Sequence, residues 1–491
     1  MKSRYSLFIA AFLVTFVSFA QPSGYYEQAL IFGQTNAFGS TARIQGIGGA
    51  QVSLGGDVSS AGSNPAGLGF FNRSVFSFTP SVTFHDTEGI YVGGLERAFQ
   101  PNVNLPNMGV VLNHTIGDIP QNKFKGGSFA ISVTRINDFN QKFFYQGYSP
   151  DASILDSFLN NAGTTEPNKL PELEWAAFNT FLIDTVDNGS DPSIAYRVLG
   201  GTEPFLSESV ITSGGQNQIN FAWGGNYNDQ FYFGAGLGIQ TLDYERRRFY
   251  EENDFIGDGF DLESLTISDE LRINGTGING SFGVIVRPVN FVTVGISYVT
   301  PTYFSLREEY GLVVESFWNG FDDENYISDI ITGEYNLRTP GRLNVGASAF
   351  LGKLGFISGD VEFVDHGATL LQSRDLELDL QADNQEIVNQ YSSVINYRIG
   401  AELRLEDFRF RGGFAYMDDP YRTTDFDRSR NNITFGLGFR QKDFFVDLSV
   451  VRTSFNQYYS PFEISSDIGT QPVVQVNNAN TSISTTVGFN F

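Results

Sequence analysis

Few residues in this chain are spaced for chemistry. Gly275-Thr276-Gly277-Ile278-Asn279-Gly280 has the GxGxxG spacing of a dinucleotide-binding turn. Such a turn must leave a strand and open a helix, so that the helix N-terminus meets the pyrophosphate. The residues around it alternate as a strand does, so it reads as a strand carrying small side chains. Asp254, Asp258 and Asp261, beside Gly257 and Gly259, supply oxygen ligands of the kind calcium takes, as do Asp187, Asn188 and Asp191. Neither run has EF-hand spacing, and both read as solvated acidic loops. His85, His114 and His366 are too scattered for a metal-ligand pattern, and no GxSxG nucleophile elbow occurs. Cysteine is absent, which removes disulfides, thiolate nucleophiles, Cys-based zinc sites and an acylated N-terminal cysteine. The chain is therefore expected to have no catalytic residues, no metal and no cofactor.

The composition points to strands with one wet face. Glycine is high at 53 residues and aromatics at 15%, led by Phe (47) and Tyr (22), yet mean hydropathy is only −0.15. A formal net charge of −24 repels phosphate backbones, so no nucleic-acid partner is expected. Much of the acid sits in loop-like stretches such as Asp322-Asp323-Glu324.

Residues 1–20 read as a secretory signal peptide. Lys2 and Arg4 form the basic start, Leu7 to Phe19 the apolar stretch, and Ser18-Phe19-Ala20 a small-x-small cleavage site before Gln21. The apolar stretch is shorter than the roughly 20 residues a spanning helix needs, and no later stretch reaches that length.

From residue 73 onward one unit repeats: about ten residues of apolar/polar alternation, then turn residues. Ile433, Phe435, Leu437 and Phe439 alternate with Thr434, Gly436 and Gly438. Ile395, Tyr397, Ile399, Ala401 and Leu403 alternate with Asn396, Arg398, Gly400, Glu402 and Arg404. The length of these strands and the bare charges on their polar face suit a tilted membrane strand over a wet lumen. In lipid every backbone group must be paired, so the sheet must close. The pattern predicts a transmembrane antiparallel β-barrel of about fourteen strands over 73–491. The strands fall at 73–84, 107–117, 126–137, 216–226, 230–241, 268–287, 290–308, 333–351, 354–366, 393–405, 408–417, 430–441, 443–454 and 481–491. Connections after even strands are short, as at Asn228-Asp229 and Glu406-Asp407. Those after odd strands are long, beginning with the first, and the one after strand 11 is intermediate. That parity is the pattern of a Gram-negative outer-membrane barrel. The last strand ends on Phe491, a form that suits recognition by the barrel-assembly machinery.

Residues 21–72 lack this alternation and are too few for an independent core. They hold Gly46-Ile47-Gly48-Gly49-Ala50, Gly55-Gly56 and Ser63-Asn64-Pro65-Ala66-Gly67-Leu68-Gly69. Asn64 before Pro65 suits a helix cap and first position. Glycine and alanine permit close backbone packing, so the segment is expected to plug the lumen as a hatch.

Arg43-Ile44-Gln45-Gly46-Ile47-Gly48-Gly49-Ala50, Asp57 and Asn64-Pro65-Ala66-Gly67-Leu68 resemble the N-terminal hatch of the FadL/TodX family of hydrophobic-compound transporters. Leu337 to Gly346, Asp360-Val361-Glu362, Asn396 to Glu402 and Arg411 to Tyr416 resemble its late strands. The mature start at Gln21 resembles Bacteroidetes members. The resemblance implies a fourteen-stranded barrel with a hatch, in which Gly48, Gly49, Asn64, Pro65 and Ala66 are the hatch residues to watch. It also implies uptake of hydrophobic compounds such as long-chain fatty acids through the outer membrane, by loop capture, hatch movement and lateral release.

The loop at 138–215 is very long, with helices expected at 152–161 and 172–186. Leu155, Phe158 and Leu159, with Trp175, Phe178, Phe181 and Leu182, form amphipathic faces. They either pack on each other and the barrel mouth or form a greasy groove that captures a hydrophobic small molecule. Pro80 removes a ladder hydrogen bond from strand 1. It either kinks the wall, which in this family opens a gap toward the bilayer, or sits near the outer rim. A rival reading makes the chain an outer-membrane docking partner of an envelope secretion or assembly machinery, using its acidic loops.

Overall fold

The computed structural model describes residues 24–36, 38–116, 123–150, 152–187, 194–198, 203–256, 261–374, 378–465 and 469–491. Residues 1–20, the stretch expected to be a signal peptide, lie outside these, as do Asn188, Asp191 and Asp258 of the acidic loops.

Fourteen antiparallel strands form one closed sheet. They are β1 (Val75–Tyr91), β2 (Gly94–Thr115), β3 (Phe124–Asp138, continued by Gln141–Tyr148), β4 (Phe205–Tyr227), β5 (Phe231–Asn253), β6 (Leu262–Val289) and β7 (Val292–Val299 and Tyr303–Trp318). Then follow β8 (Ile331–Arg338 and Arg342–Phe350), β9 (Gly355–Asp365 and Leu370–Ser373), β10 (Ser393–Leu405), β11 (Phe408–Met417), β12 (Arg430–Arg440), β13 (Phe444–Tyr459) and β14 (Val474–Asn490). β14 closes on β1 from Val75↔Asn490 to Ile90↔Gln475, so the last strand seals the cylinder. The GxGxxG run lies inside β6, where a Cβ on Gly275 would stand 2.4 Å from the Ser305 carbonyl of β7.

The wall is polar inside and apolar outside. On β1, Phe76, Phe78 and Val82 are 36–40% exposed, while Ser77, Thr79, Ser81 and Thr83 are at most 6% exposed. That is the reverse of a soluble protein and follows from lipid outside and water inside. On β5 the outward apolar run goes from Phe231 to Ile239 and then gives way to Asp243, Glu245 and Arg247. Nine tilted residues rise roughly 25 Å, the height of a hydrocarbon belt. No helix among the described residues is long and apolar enough to cross a membrane.

Above the belt the polarity inverts, and there the strands run on well past the predicted ends. Outward residues become charged, with Arg247, Glu270 and Arg272 paired across β5 and β6. Inward residues become apolar, with Leu242, Leu265, Ile267, Leu271 and Ile273 at most 3% exposed. The first connection is thus not long. β1 and β2 meet through Val92-Gly93, both at positive φ (44° and 80°), the two-residue turn whose twist suits a hairpin. The stretch expected to be a loop at 138–215 likewise contributes strand to β3 and β4, leaving residues 149–204 to connect them, with the Ser149 N–H donating to the Pro204 carbonyl (2.9 Å). Its helices are Ile154–Ala162 and Glu172–Asn179. The second ends early because Phe181 takes φ 56°, and Ile183–Asp187 then pairs with Ile194–Val198.

Candidate functional site: the lumen

The N-terminal segment lies against inward faces of the wall. Where it does, the wall is glycine. A Cβ on Gly234 would stand 2.4 Å from the Pro65 carbonyl carbon, one on Gly224 2.3 Å from the Pro65 oxygen, and one on Gly283 1.8 Å from Asn64 Oδ1. Across the lumen, Cβ atoms on Gly400 and Gly413 would stand 2.2 and 2.3 Å from the Ile47 backbone. These strand glycines make flat seats for backbone-to-backbone approach. Gly48 and Gly49 adopt φ 67° and 79°, which lets the chain turn against β11. Asn64 caps the 3₁₀ turn Pro65–Phe70. Its Oδ1 accepts from the Ala66 N–H (3.1 Å) and its Nδ2 donates to the Val52 carbonyl (2.6 Å). The five predicted residues therefore serve two seats on different walls, Gly48 and Gly49 at β10–β11 and Asn64-Pro65-Ala66 at β4–β7.

Side chains fasten the segment as well. Asp360 of β9 accepts from the Gln51 and Val52 N–H groups (2.6 and 2.9 Å), and Ser53 Oγ lies 2.6 Å from Ser348 Oγ of β8. Arg43 faces both Asp57 (3.6 Å) and Glu402 (3.7 Å). Glu402 and Asp447 are bridged by Arg411 at 2.8 and 2.6 Å. Asp360 and Ser348 were readable only as inward positions of an alternating strand.

Above the segment lie two polar cavities. One, of about 190 Å³, is lined by Gln216, Gln218, Gln240, Asn279, Ser297 and Asn344 among others. Its amides form a ladder: Gln216 donates to Gln240 (2.6 Å), Gln240 to Gln218 (2.5 Å), and Asn279 to Gln218 (3.0 Å). The other, of about 170 Å³, reaches from Arg430 of β12 past Asn480 and His85 to Asn104, Pro106 and Asp138.

This second cavity adjoins a parting of the wall. β2 pairs with β3 only from Asn107↔Thr134 to Thr115↔Gly126, and residues 94–106 have no strand partner on that side among the described residues. β3 instead bends inward. It bulges between Arg135 and Asn137, breaks at Phe139-Asn140, and resumes as Gln141–Tyr148 beneath the β1–β2 hairpin, where Gly89 abuts the Phe144 carbonyl. Gly214, at φ 102°, lets β4 follow the bend. The bend is tied to the N-terminal segment: Asn36 N–H donates to Asn137 Oδ1 (2.7 Å), and Asp138 N–H donates to Asn36 Oδ1 (2.8 Å). The Asp138 carboxylate accepts from Arg135, Asn102, Asn104 and Asn140 (2.6–3.2 Å), so it joins the bend to the bare edge of β2. Pro80 lies elsewhere, exposed at a one-residue register shift between β1 and β2, and β1 keeps its pairing with β14.

An apolar cap closes the long-loop end. Leu155, Phe158 and Leu182 are fully buried within it, alongside Leu30 and Phe32 of the helix Tyr25–Gly33. Leu159 and Phe178 pack on it partly buried, Trp175 stacks on Phe178 at 5.9 Å, and Phe181 is 52% exposed. The loop helices dock through Glu252 of β5, which accepts from the Ile154 N–H (2.8 Å), Ser153 Oγ (2.5 Å) and Tyr250 (2.6 Å). A carboxylate at a helix N-terminus is favoured there.

Burial pushes the Glu27 carboxyl of the first helix up to about 7; nearby Arg246 opposes this and Glu463 adds to it. A raised folded-state value means that the stabilising contribution is complete below the ordinary carboxylate value near 4.5 and lost as pH rises through 7. Glu27→Gln is therefore expected to raise thermal stability above pH 7 by the equivalent of about 1–2 kcal/mol, and to change it little at pH 4.5. Melting curves at both pH values check this.

A fourteen-stranded barrel with an apolar belt, a polar lumen and an N-terminal segment seated on wall glycines is a fold found among outer-membrane transport proteins. No protein-family model and no curated protein sequence matches the chain. Among solved structures, a FadL homologue of Pseudomonas aeruginosa superposes with a TM-score of 0.58 at 13% identity, covering 94% of this chain and 100% of that one. The P. putida toluene transporter TodX gives 0.53 at 14% identity, covering 93% and 99%. The Ralstonia pickettii toluene transporter TbuX gives 0.50 at 15%, again covering 93% and 99%.

Proposed function

We propose that this chain is an outer-membrane channel for passive uptake of hydrophobic compounds such as long-chain fatty acids. The observation that carries this reading is the inward bend of β3, which leaves the edge of β2 bare beside a lumen cavity and is hydrogen-bonded to the N-terminal segment. A ligand captured at the loop end would shift that segment, acting as a hatch, and leave sideways into the bilayer. The apolar cap supports capture, because its surface is greasy once the loop helices move. The shared fold with barrels described as toluene transporters supports the compound class.

Uptake of a labelled long-chain fatty acid by expressing cells tests this. Ser149 and Pro204 are hydrogen-bonded neighbours, so residues 150–203 can be replaced by a short turn without disturbing β3 or β4. That deletion, and separately Asn64→Ala, are each expected to change uptake by about tenfold. Unchanged uptake in both sinks the mechanism.

A docking role draws on a different feature. Phe321, Ile327 and Ile330 are 68–71% exposed near the loop end, beyond the belt. A stoichiometric protein partner in detergent pulldowns, with no bound acyl chain, would favour it.

A further inference from the structure

One sector of the outer wall changes character at the top of the apolar belt. There β7, β8 and β9 are all interrupted, at residues 300–302, 339–341 and 366–369. Below the breaks the outward side chains are apolar: Phe282 of β6 and Val294, Ile296 and Tyr298 of β7 are 41–55% exposed. Tyr303 and Ile278, set opposite each other and both exposed, form the last such row.

Above that row the outward positions turn polar and basic. Strand register places Arg338 of β8 beside Tyr303. A neutral row follows, in which Thr276, Ser305, Asn336 and Gln372 run side by side across β6 to β9. Two residues higher, Arg307 of β7 lies beside Glu334 of β8, whose carbonyl accepts from the Arg374 N–H (3.2 Å). Four tilted residues rise roughly 10 Å, so Arg338, Arg307 and Arg374 all stand close above the hydrocarbon.

These arginines are accessible and loosely held. The side chains of Arg307 and Arg374 are 60% and 48% exposed. Arg307 faces Glu309 at 3.1 Å, whereas Arg374 reaches Glu334 only at 3.9 Å and donates to Ser305 Oγ (2.7 Å). Arg338 has no ion pair among the described residues and donates to the Ala368 carbonyl (3.1 Å). The rest of the rim differs. Asp243 of β5 stands in the row of Asn274 and Arg307, and beyond Phe84 on β1 come Asp86 and Glu88, which face Arg452 and Arg97 (3.9 and 2.8 Å).

We propose that this sector docks a phosphorylated glycolipid of the outer leaflet. Arg338 and Arg374 hold the phosphate, the neutral row meets the sugar hydroxyls, and the acyl chains lie along Phe282, Ile296 and Tyr298. Guanidinium groups pair their N–H donors with phosphate oxygens, and cations at a lipid surface attract anionic heads. A free phosphate would have no use for the greasy wall directly beneath. This docking follows from the barrel's seat in the membrane and holds whatever the channel carries.

Native mass spectrometry of the purified full chain in detergent, titrated with lipid A and with its dephosphorylated form, tests it. Wild type is expected to bind lipid A at least about tenfold more tightly than the dephosphorylated form. Arg338→Gln/Arg374→Gln should erase that preference. Arg97→Gln/Arg452→Gln, which removes the same charge from the other side of the rim, should keep it. All four side chains lie on the outer surface, and the heat-modified gel shift confirms that each variant is folded. Equal binding of the two lipids by wild type, or a preference that survives in Arg338→Gln/Arg374→Gln, overturns the site. An equal loss in Arg97→Gln/Arg452→Gln overturns it too, because overall charge would then account for the binding. Each of these failures leaves the uptake reading standing, since fatty-acid uptake is measured separately.

Discussion

Replacing Gly224 and Gly234 together with valine is expected to unseat the N-terminal segment and turn a closed barrel into a leaking one. Both added side chains would run into the Pro65 backbone, at 2.3 and 2.4 Å, and a backbone carbonyl cannot rotate away as a side chain can. Overpacking costs about 1–3 kcal/mol per site when the neighbours hold. Here the cheaper response is for Asn64-Pro65-Ala66 to leave, since the wall strands are fixed by ladders on both sides while this seat is a single short turn. Conductance in planar bilayers should rise by an order of magnitude, about tenfold, toward that of an open barrel. Cells should become sensitive to large hydrophilic antibiotics. Gly412→Ala on β11 is the control, because nothing stands within 4 Å of its would-be Cβ.

Arg411→Met is expected to destabilise the barrel by about 3 kcal/mol, the usual result of stripping one partner from a buried ionic cluster. Arg411 is fully buried and bonds Glu402 and Asp447 on both sides, and those carboxylates are at most 3% exposed. Without it, Glu402 keeps Arg404 at 2.8 Å and Arg43 at 3.7 Å, whereas Asp447 keeps only Arg440 at 3.6 Å among the described residues. The loss should therefore fall mostly on Asp447, and Asp447→Asn in the same chain should recover part of it. The temperature at which folded and unfolded forms interchange on a gel reads both effects. Because Arg43 shares Glu402, the single variant should also loosen the N-terminal segment and raise conductance modestly.

Strand number and order were legible because the belt imposes a strict period of two with the apolar residues outward, as in Ile433, Phe435 and Leu437. Strand ends were not legible where the polarity inverts. On β5 the apolar positions are odd up to Ile239 and even from Leu242, so the same strand changes phase as it leaves the hydrocarbon. A reader who expects one greasy face stops at that point. The β1–β2 hairpin was lost for the same reason, since His85 to Glu88 and Glu96 to Asn104 carry polar residues on both faces. Pro80 drew attention through a rule about one strand's hydrogen bonds, which left a kinked wall and a place near the outer rim as alternatives. The parting of β2 from β3 involves asparagines and an aspartate, Asn36, Asn137 and Asp138, whose partners are distant in sequence. The glycine seats were half visible: the segment's own glycines stood out, but those of the wall, Gly224, Gly234 and Gly283, look like ordinary strand glycines until Pro65 and Asn64 are set against them.

In the proposed mechanism the segment ahead of β1 must move for anything to pass. The native chain has no cysteine, so one introduced pair can be oxidised alone. Ser53 of the segment and Ser348 of β8 already place their hydroxyl oxygens 2.6 Å apart, a spacing that suits a disulfide. In the Ser53→Cys/Ser348→Cys variant, oxidised protein should take up labelled fatty acid no faster than cells lacking the barrel, and reduction should restore uptake. Equal uptake by the oxidised and reduced forms would contradict the account.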